Sequence, residues 1–390
     1  MTKPATILFI NLYTEMGGNE VAVLNLANSL DRSRFTPVMM FNRSGPFANR
    51  AEACGIETVI VGYQTVMLHR LAIPGVFWTN IKASRAIYQY LKRADIDIIQ
   101  CSDVLSLLLI CMPVLRLRIP VVYSVVFYYE WLRVLLFNML ALLIVDKIVA
   151  NSDGVMEELR RRVLFLNNKM TVVHNGVDTS VFRPSEKGER DLLREELRET
   201  ASTRIVGMVA RFDPVKGHET FLASAEIILR RRPDVKFVVI GGVLMSDALP
   251  AWKVYYEKIM QLYEQSGLGH SVRFLDHREK IHDFMRNLDV LVCPSTREAF
   301  GLVVPEALAS GVPVVVSGGV GALEAVKDQA GVYKAEAGDA ESFARGVEHA
   351  LDEKQRRAPL DLSKAFLENI SLQKYGKQFE RIYSEVRPQA

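Results

Sequence analysis

Cysteine is scarce: Cys54, Cys101, Cys111 and Cys293 are the four in 390 residues, and no two form a C-x-x-C pair. That scatter suggests neither a zinc site nor a disulfide framework, and a reducing cytoplasm is the expected home. The seven histidines do not cluster at metal-ligand spacing. No full G-x-G-x-x-G fingerprint is present, which counts against a nicotinamide enzyme, and no Ser-His-Asp pattern offers a nucleophile. Excess charge is lacking too. Lys and Arg number 48 against 45 Asp and Glu, a net charge of +3, so a nucleic-acid surface is not the main business. Long hydrophobic runs are missing. The most membrane-like stretch, Val134 to Val145, is too short to span a bilayer and contains Asn138. It reads as a buried helix, with partial insertion at a membrane surface as the alternative. The start, M-T-K-P-A and then only a short apolar run Ile7 to Ile10, reads as a first buried strand rather than a signal peptide. There is no tandem repeat or low-complexity tract.

What is present is alternation. Apolar, β-branched runs at Ile7–Ile10, Thr36–Phe41, Glu57–Val61, Ile98–Gln100, Val121–Ser124 and Lys147–Asn151 are separated by helical stretches, among them Asn19–Leu30 and Val76–Ala94. Continuous apolar strands between helices imply a parallel sheet covered on both faces. The charged stretch Thr179 to Thr203, with Pro184 and Gly188, breaks the pattern and reads as a linker plus a surface helix. A second series follows at Arg204–Ala210, Lys236–Gly241, Val272–Leu275, Val290–Cys293 and Val314–Ser317. The fold class is therefore α/β, with two Rossmann-like parallel-sheet domains facing across a cleft. The expected division is 1–180, a linker at 181–203, 204–370, and a last helical segment at 371–390. Ligands of such sheets bind beyond the carboxyl ends of the strands.

The chain is organised around C-P-S-T-R-E-A-F-G-L-V-V-P-E-A-L-A-S-G, Cys293 to Gly311. A strand stops at Pro294. A helix begins after Gly301, with Pro305 in its first turn and Gly311 at its left-handed stop. Phe300, Gly301 and Leu302 lie where backbone amides point away from a helix start, a place that holds anions. Glu306 is either a first-turn charge that favours the helix or a hydroxyl acceptor. Glu298 lies on the loop, where the first-turn reading does not apply; it is a hydroxyl acceptor or one of a glutamate pair spaced by chance. Arg211 and Lys216, in G-M-V-A-R-F-D-P-V-K-G, follow the first strand of the second series. They are solvated loop cations or a diphosphate clamp, Arg as a fork and Lys as a point charge. Gly17 and Gly18 sit between the first strand and first helix, where backbone can approach a phosphate or sugar closely or simply turn. Asp95-Ile96-Asp97 is formally a D-x-D but ends a helix and begins a strand, so surface carboxylates are expected and no metal site. His174 and His277 read as core or solvated histidines that could line a cleft. Arg160 to Arg162, followed by Val163, Leu164, Phe165 and Leu166, is a solvated helix end or a contact for an anionic membrane or lipid-diphosphate acceptor.

Three segments in order, V-V-H-N-G-V-D (Val172 to Asp178), Gly207 to Gly217 and Cys293 to Gly311, resemble the motifs of the family-four retaining glycosyltransferases with the GT-B fold. The resemblance covers the chain well from about Thr171 onward. It implies transfer of a sugar from a nucleoside-diphosphate sugar to an acceptor (glycan, lipid-linked or small molecule) bound mainly by the first domain, without a metal or other cofactor. It implies that Arg211 and Lys216 hold the diphosphate and that Glu306 takes the ribose hydroxyls. Glu298 would take sugar hydroxyls near the reacting carbon, and the amides of Phe300, Gly301 and Leu302 would hold sugar and phosphate. The glycine loop at Gly17 and Gly18 would face donor and acceptor, and the last helix would cross back to the first domain. The implied site of action is cytoplasmic, with peripheral contact at the inner membrane face as an option. The sequence departs from the family beside the donor sugar: Val126 stands where many members have a histidine, with Tyr128, Tyr129 and Glu130 as nearby substitutes. An epimerase of the same fold and a non-catalytic sugar-nucleotide binder are the alternative readings; a phosphorylase-like transferase is disfavoured by the lack of a lysine context for pyridoxal phosphate.

Overall fold

The structure, a computed structural model, describes residues 3–11, 14–62, 74–126, 131–163, 166–242, 250–356, 360 and 362–387. The chain divides into two compact units, Met1–Gly176 with Leu372–Ala390, and Val177–Ser371.

The first unit holds a sheet of seven strands among the described residues: β1 Ala5–Asn11, β2 Phe35–Phe41, β3 Glu57–Ile60, β4 Ile98–Cys101, β5 Val121–Val125, β6 Lys147–Ala150 and β7 Met170–Val172. Their order is β3-β2-β1-β4-β5-β6-β7 and all pairs are parallel. The second unit holds β8 Arg204–Val209, β9 Val235–Ile240, β10 Val272–Leu275, β11 Val290–Cys293, β12 Val314–Ser317 and β13 Val332–Ala335. Their order is β10-β9-β8-β11-β12-β13, again parallel throughout. Period-two side chains supply both faces of this sheet. Leu291, Cys293, Val314 and Val316 join one core, while Val290, Val292 and Val315 join the other.

The last helix, Leu372–Val386, belongs to the first unit, separated from the rest of it by 195 intervening residues (177 to 371). Tyr375, Phe379, Ile382 and Tyr383 repeat at helical spacing and join the core formed by Ile7, Phe9, Met39 and Val122. Tyr383 OH donates to Gln100 Oε1 at 3.1 Å. Glu380 accepts from the Asp31 amide at 2.8 Å and from Arg34 at 3.3 Å.

Two expectations need correction, and two edge strands were not foreseen. The stretch 181–203 is part of the second unit and no free linker. Leu193 of its helix Leu192–Leu197 is fully buried, and Arg194 bridges Asp191 and the buried Asp289, each at 2.7 Å. Arg194, one of the charges that made it look solvated, is paired inward, while Arg190 and Glu195 pair at the surface. The edge strands β7 and β13 had no sequence signal, because Met170–Val172 is three residues long and Val332–Ala335 is interrupted by Lys334. The segment Val134–Val145 lies largely in the helix Trp131–Ile144, but it is buried on one face only: Phe137, Leu140, Ala141 and Ile144 are buried, while Leu135, Met139, Leu142 and Leu143 face outward.

Gly376 marks the tightest contact of the last helix, since a Cβ there would lie 2.5 Å from the Ser29 carbonyl oxygen. Gly376→Ala must displace backbone. It is expected to destabilise the first unit by about 1–3 kcal/mol, read as an earlier transition in urea unfolding with the second unit's transition unmoved.

Candidate functional site

In a doubly wound sheet the connections on either side of the strand-order reversal leave on opposite faces, so a crevice opens beyond the strand ends. In the second unit the reversal lies between β8 and β11. The loop after β8 carries Arg211 and Lys216; the loop after β11 carries Glu298, Phe300, Gly301 and Leu302. Topology alone therefore brings together residues some eighty positions apart in sequence.

Hydrogen bonds fasten these loops to one another and to the loop after β12. Thr296 N donates to Val215 O at 2.8 Å, Glu298 N to Gly319 O at 2.9 Å, Gly321 N to Glu298 O at 3.1 Å and Ala322 N to Phe300 O at 2.7 Å. Two glycines are required by the fit. Gly217 has φ +76° and a Cβ on it would lie 2.3 Å from Pro294 O. Gly301 has φ +91° and a Cβ there would meet Val320 Cγ1 at 2.8 Å and Glu298 Cγ at 3.1 Å.

Each cation is held by a carboxylate. Lys216 Nζ pairs with Glu298 Oε2, and both side chains are about four-fifths buried. Ser295 Oγ donates to the same carboxylate oxygen at 3.3 Å, and Ser317 Oγ donates to Ser295 O. Arg211 meets Asp213 Oδ2 at 3.0 Å and lies 5.1 Å above the Trp252 ring. Asp213 Oδ1 accepts from Val215 N at 3.1 Å, capping the short turn Pro214–Lys216. The local charge is thus balanced in pairs, and an anionic ligand would compete with Glu298 and Asp213 for cations already in place.

The helix after the second loop, Val303–Ala309, is short, and its cap Leu302 offers no side-chain acceptor. Val304 N bonds back to Gly301 O and Glu306 N to Leu302 O, so the turn begins where the sequence places it. Glu306 is only 8% exposed, and burial pushes its carboxyl up to about 8.

Gly17 and Gly18 lie in the other unit, after β1, beside the reversal between β1 and β4. Gly17 caps the helix Gly18–Ser29 without a side-chain bond, and a Cβ on Gly18 would meet nothing within 4 Å. Beyond β4 and β5, Val126 lines a small cavity of about 20 Å³ with Asn19, Gln100, Ser124, Asn151 and Asn175. Its lining holds no carboxylate, imidazole or amine. Tyr128, Tyr129 and Glu130 lie outside the described residues. Asp95 is paired with Lys3 at 2.5 Å, while Asp97 accepts from Thr6 N at 2.8 Å and meets Arg387 at 3.0 Å. Both carboxylates thus have structural partners within their own unit. His174 lies 3.9 Å from Asp153, and His277 is exposed beyond β10.

Sequence reading missed Asp213, Ser295 and Trp252. Asp213 was legible as the cap of a Pro-containing turn, but Trp252 carried no local signal. It also missed His218, whose buried ring stacks on Phe212 at 4.6 Å and whose imidazole is pushed down to about 4 by burial.

Clamped cations and buried carboxylates thus stand at the switch point of a doubly wound α/β sheet, the place where such sheets bind their ligands. Family comparison narrows this. The model for glycosyl transferases group 1 matches residues 189–365, and that for Glycosyltransferase Family 4 matches 16–181. The chain belongs to the family-four-type glycosyltransferases of GT-B fold. Among curated relatives, a D-inositol 3-phosphate glycosyltransferase of Segniliparus rotundus is 33% identical over 47% of this chain and 39% of its own length. Another, of Corynebacterium urealyticum, is 28% identical over 61% of this chain and 56% of its own. The chain thus spans about half the length of these curated relatives or less. Among solved structures, Anabaena HepE in complex with UDP-glucose superposes with a TM-score of 0.82 at 20% identity, over 97% of this chain and 99% of that one. Sucrose-phosphate synthase of Thermosynechococcus elongatus does so with 0.77 at 20% identity, over 98% of each. At that identity the likeness is one of fold.

The raised Glu306 carboxyl sets a pH dependence. Between its unfolded value near 4.5 and its folded value of about 8 the folded protein holds the extra proton, so stability falls as pH rises through that window. Glu306→Gln is expected to flatten this slope and to gain stability relative to the wild type at the upper end, checked by denaturant unfolding of both proteins across the window.

Proposed function

We propose that the chain is a metal-independent, retaining glycosyltransferase that uses a nucleoside-diphosphate sugar. The observation that carries this reading is the convergence of Arg211, Lys216, Glu298 and Glu306 on one switch point. HepE, of the same fold, is solved with UDP and with UDP-glucose, which supports a nucleotide-sugar donor.

In this reading the diphosphate draws Lys216 away from Glu298 and Arg211 away from Asp213. Glu298 is thereby freed to accept sugar hydroxyls next to the cation that held it. Lys216 and Arg211 then stabilise the charge that develops on the leaving nucleoside diphosphate. The amides around Phe300, Gly301 and Leu302 add donors that need no reorganisation. Glu306, carrying its proton near neutrality, offers a donor as well as an acceptor to the ribose hydroxyls. The acceptor's proton goes to the donor's own phosphate oxygen in a front-face transfer. Catalysis thus rests on positioning and preorganised charge. The four free thiols support a cytoplasmic site of action.

The small cavity at Val126, without an ionisable group from acid or base residues, favours a second reading in which the chain binds a sugar nucleotide but transfers nothing. Slow donor hydrolysis without acceptor separates the two. Glu298→Gln is expected to abolish that hydrolysis while UDP still binds; hydrolysis at the wild-type rate would remove the assigned role. Arg211→Ala and Lys216→Ala are each expected to weaken UDP roughly tenfold to a hundredfold and to leave uridine nearly unaffected, as read by calorimetry. Equal losses for both ligands would place the diphosphate elsewhere.

A further inference from the structure

Two helices of the first unit, Val104–Leu117 and Trp131–Ile144, pack on each other and both turn apolar stripes outward. On the second, Leu135, Met139, Leu142 and Leu143 are 49% to 60% exposed. Their spacing places them on one face, opposite the buried Phe137, Leu140, Ala141 and Ile144. On the first, Met112 and Leu115 are 57% and 48% exposed. Six of the eleven exposed large apolar side chains among the described residues therefore lie on this pair of helices. Scattered surface leucines are ordinary, but a cluster of this kind marks a binding surface.

Arginine outnumbers acid in the sequence of this pair. From Val104 to Val145 the sequence holds Arg116, Arg118 and Arg133 against the single acid Glu130. Asn138 Nδ2 donates to Arg162 O at 3.1 Å, which brings the end of the helix Asp153–Arg162 to the same edge. Arg160, Arg161 and Arg162 are all exposed there; Arg161 and Arg162 bridge to Glu157 and Glu158 of their own helix. No described helix is long and apolar enough to cross a membrane.

We propose that this face docks on an anionic lipid surface, the helix Trp131–Ile144 lying in the headgroup plane with Leu135, Met139, Leu142 and Leu143 inserted and the arginines on lipid phosphates. The inference stands on the first unit alone and is independent of the donor reading.

Co-sedimentation of the full chain with vesicles tests it. Binding is expected to phosphatidylcholine vesicles containing phosphatidylglycerol, not to phosphatidylcholine alone, and it should weaken with salt. Leu135→Glu with Leu143→Glu should abolish it without changing circular dichroism or the melting temperature. Arg160→Ala with Arg161→Ala, both fully on the surface, should weaken it roughly fivefold per arginine, and this pair decides the matter if the leucine variant fails to fold. Absence of vesicle binding, or binding that neither pair of substitutions changes, would overturn the proposal. So would a wild-type dimer that ignores vesicles and dissociates on Leu135→Glu with Leu143→Glu, which would assign the face to a second copy.

Discussion

The ion pair between Lys216 and Glu298 is the contact on which the candidate site depends. It joins the loop after β8 to the loop after β11, and it does so where the sheet reverses its order. Gly217 lets the lysine's turn lie directly against Pro294, at a distance that no side chain would allow. A cation and an anion are thus held together with most of their surface out of water. Such a pair contributes little to net stability, because desolvation offsets attraction. Under the proposed function its use is geometric: it stores a charge in the right place, balanced until an anion arrives. Arg211 with Asp213 repeats the device on the same loop.

Glu306 differs in kind. Nothing charged faces it closely enough to offset its burial, and its carboxyl is the most perturbed acid of the site. A short helix start, a glycine at φ +91° and the packing of Val304, Ala307 and Leu308 beneath it hold it there. Under the proposed function, a ligand's hydroxyls would meet this buried carboxyl.

Much of this was legible beforehand, for physical reasons. The buried strands announced themselves as β-branched runs, because a parallel sheet covered on both faces needs no polar alternation. Pro294, Gly301 and Gly311 fixed where the central strand stops and where the helix begins and ends. What stayed hidden depends on tertiary partners. Leu193 and Arg194 looked like a solvated charged helix because Asp289, ninety-five residues on, is invisible locally. The outward stripe of Trp131–Ile144 looked like core because composition records that leucines are present, not which way they point. Trp252 could not be linked to Arg211 without the fold.

The chain passes between its units twice, near Gly176 and near Ser371, and the two crossings are neighbours: Val177 pairs with Ser371, and its amide bonds to Ile370 O at 2.7 Å. A ribosome delivers the first 176 residues long before Phe379 and Tyr383, which fill their core. The earlier-made unit must therefore wait, with part of one core open to water, until the later-made unit has been synthesised and has brought the tail back. The order of synthesis and the order of completion are reversed, and the middle of the chain is free to fold first.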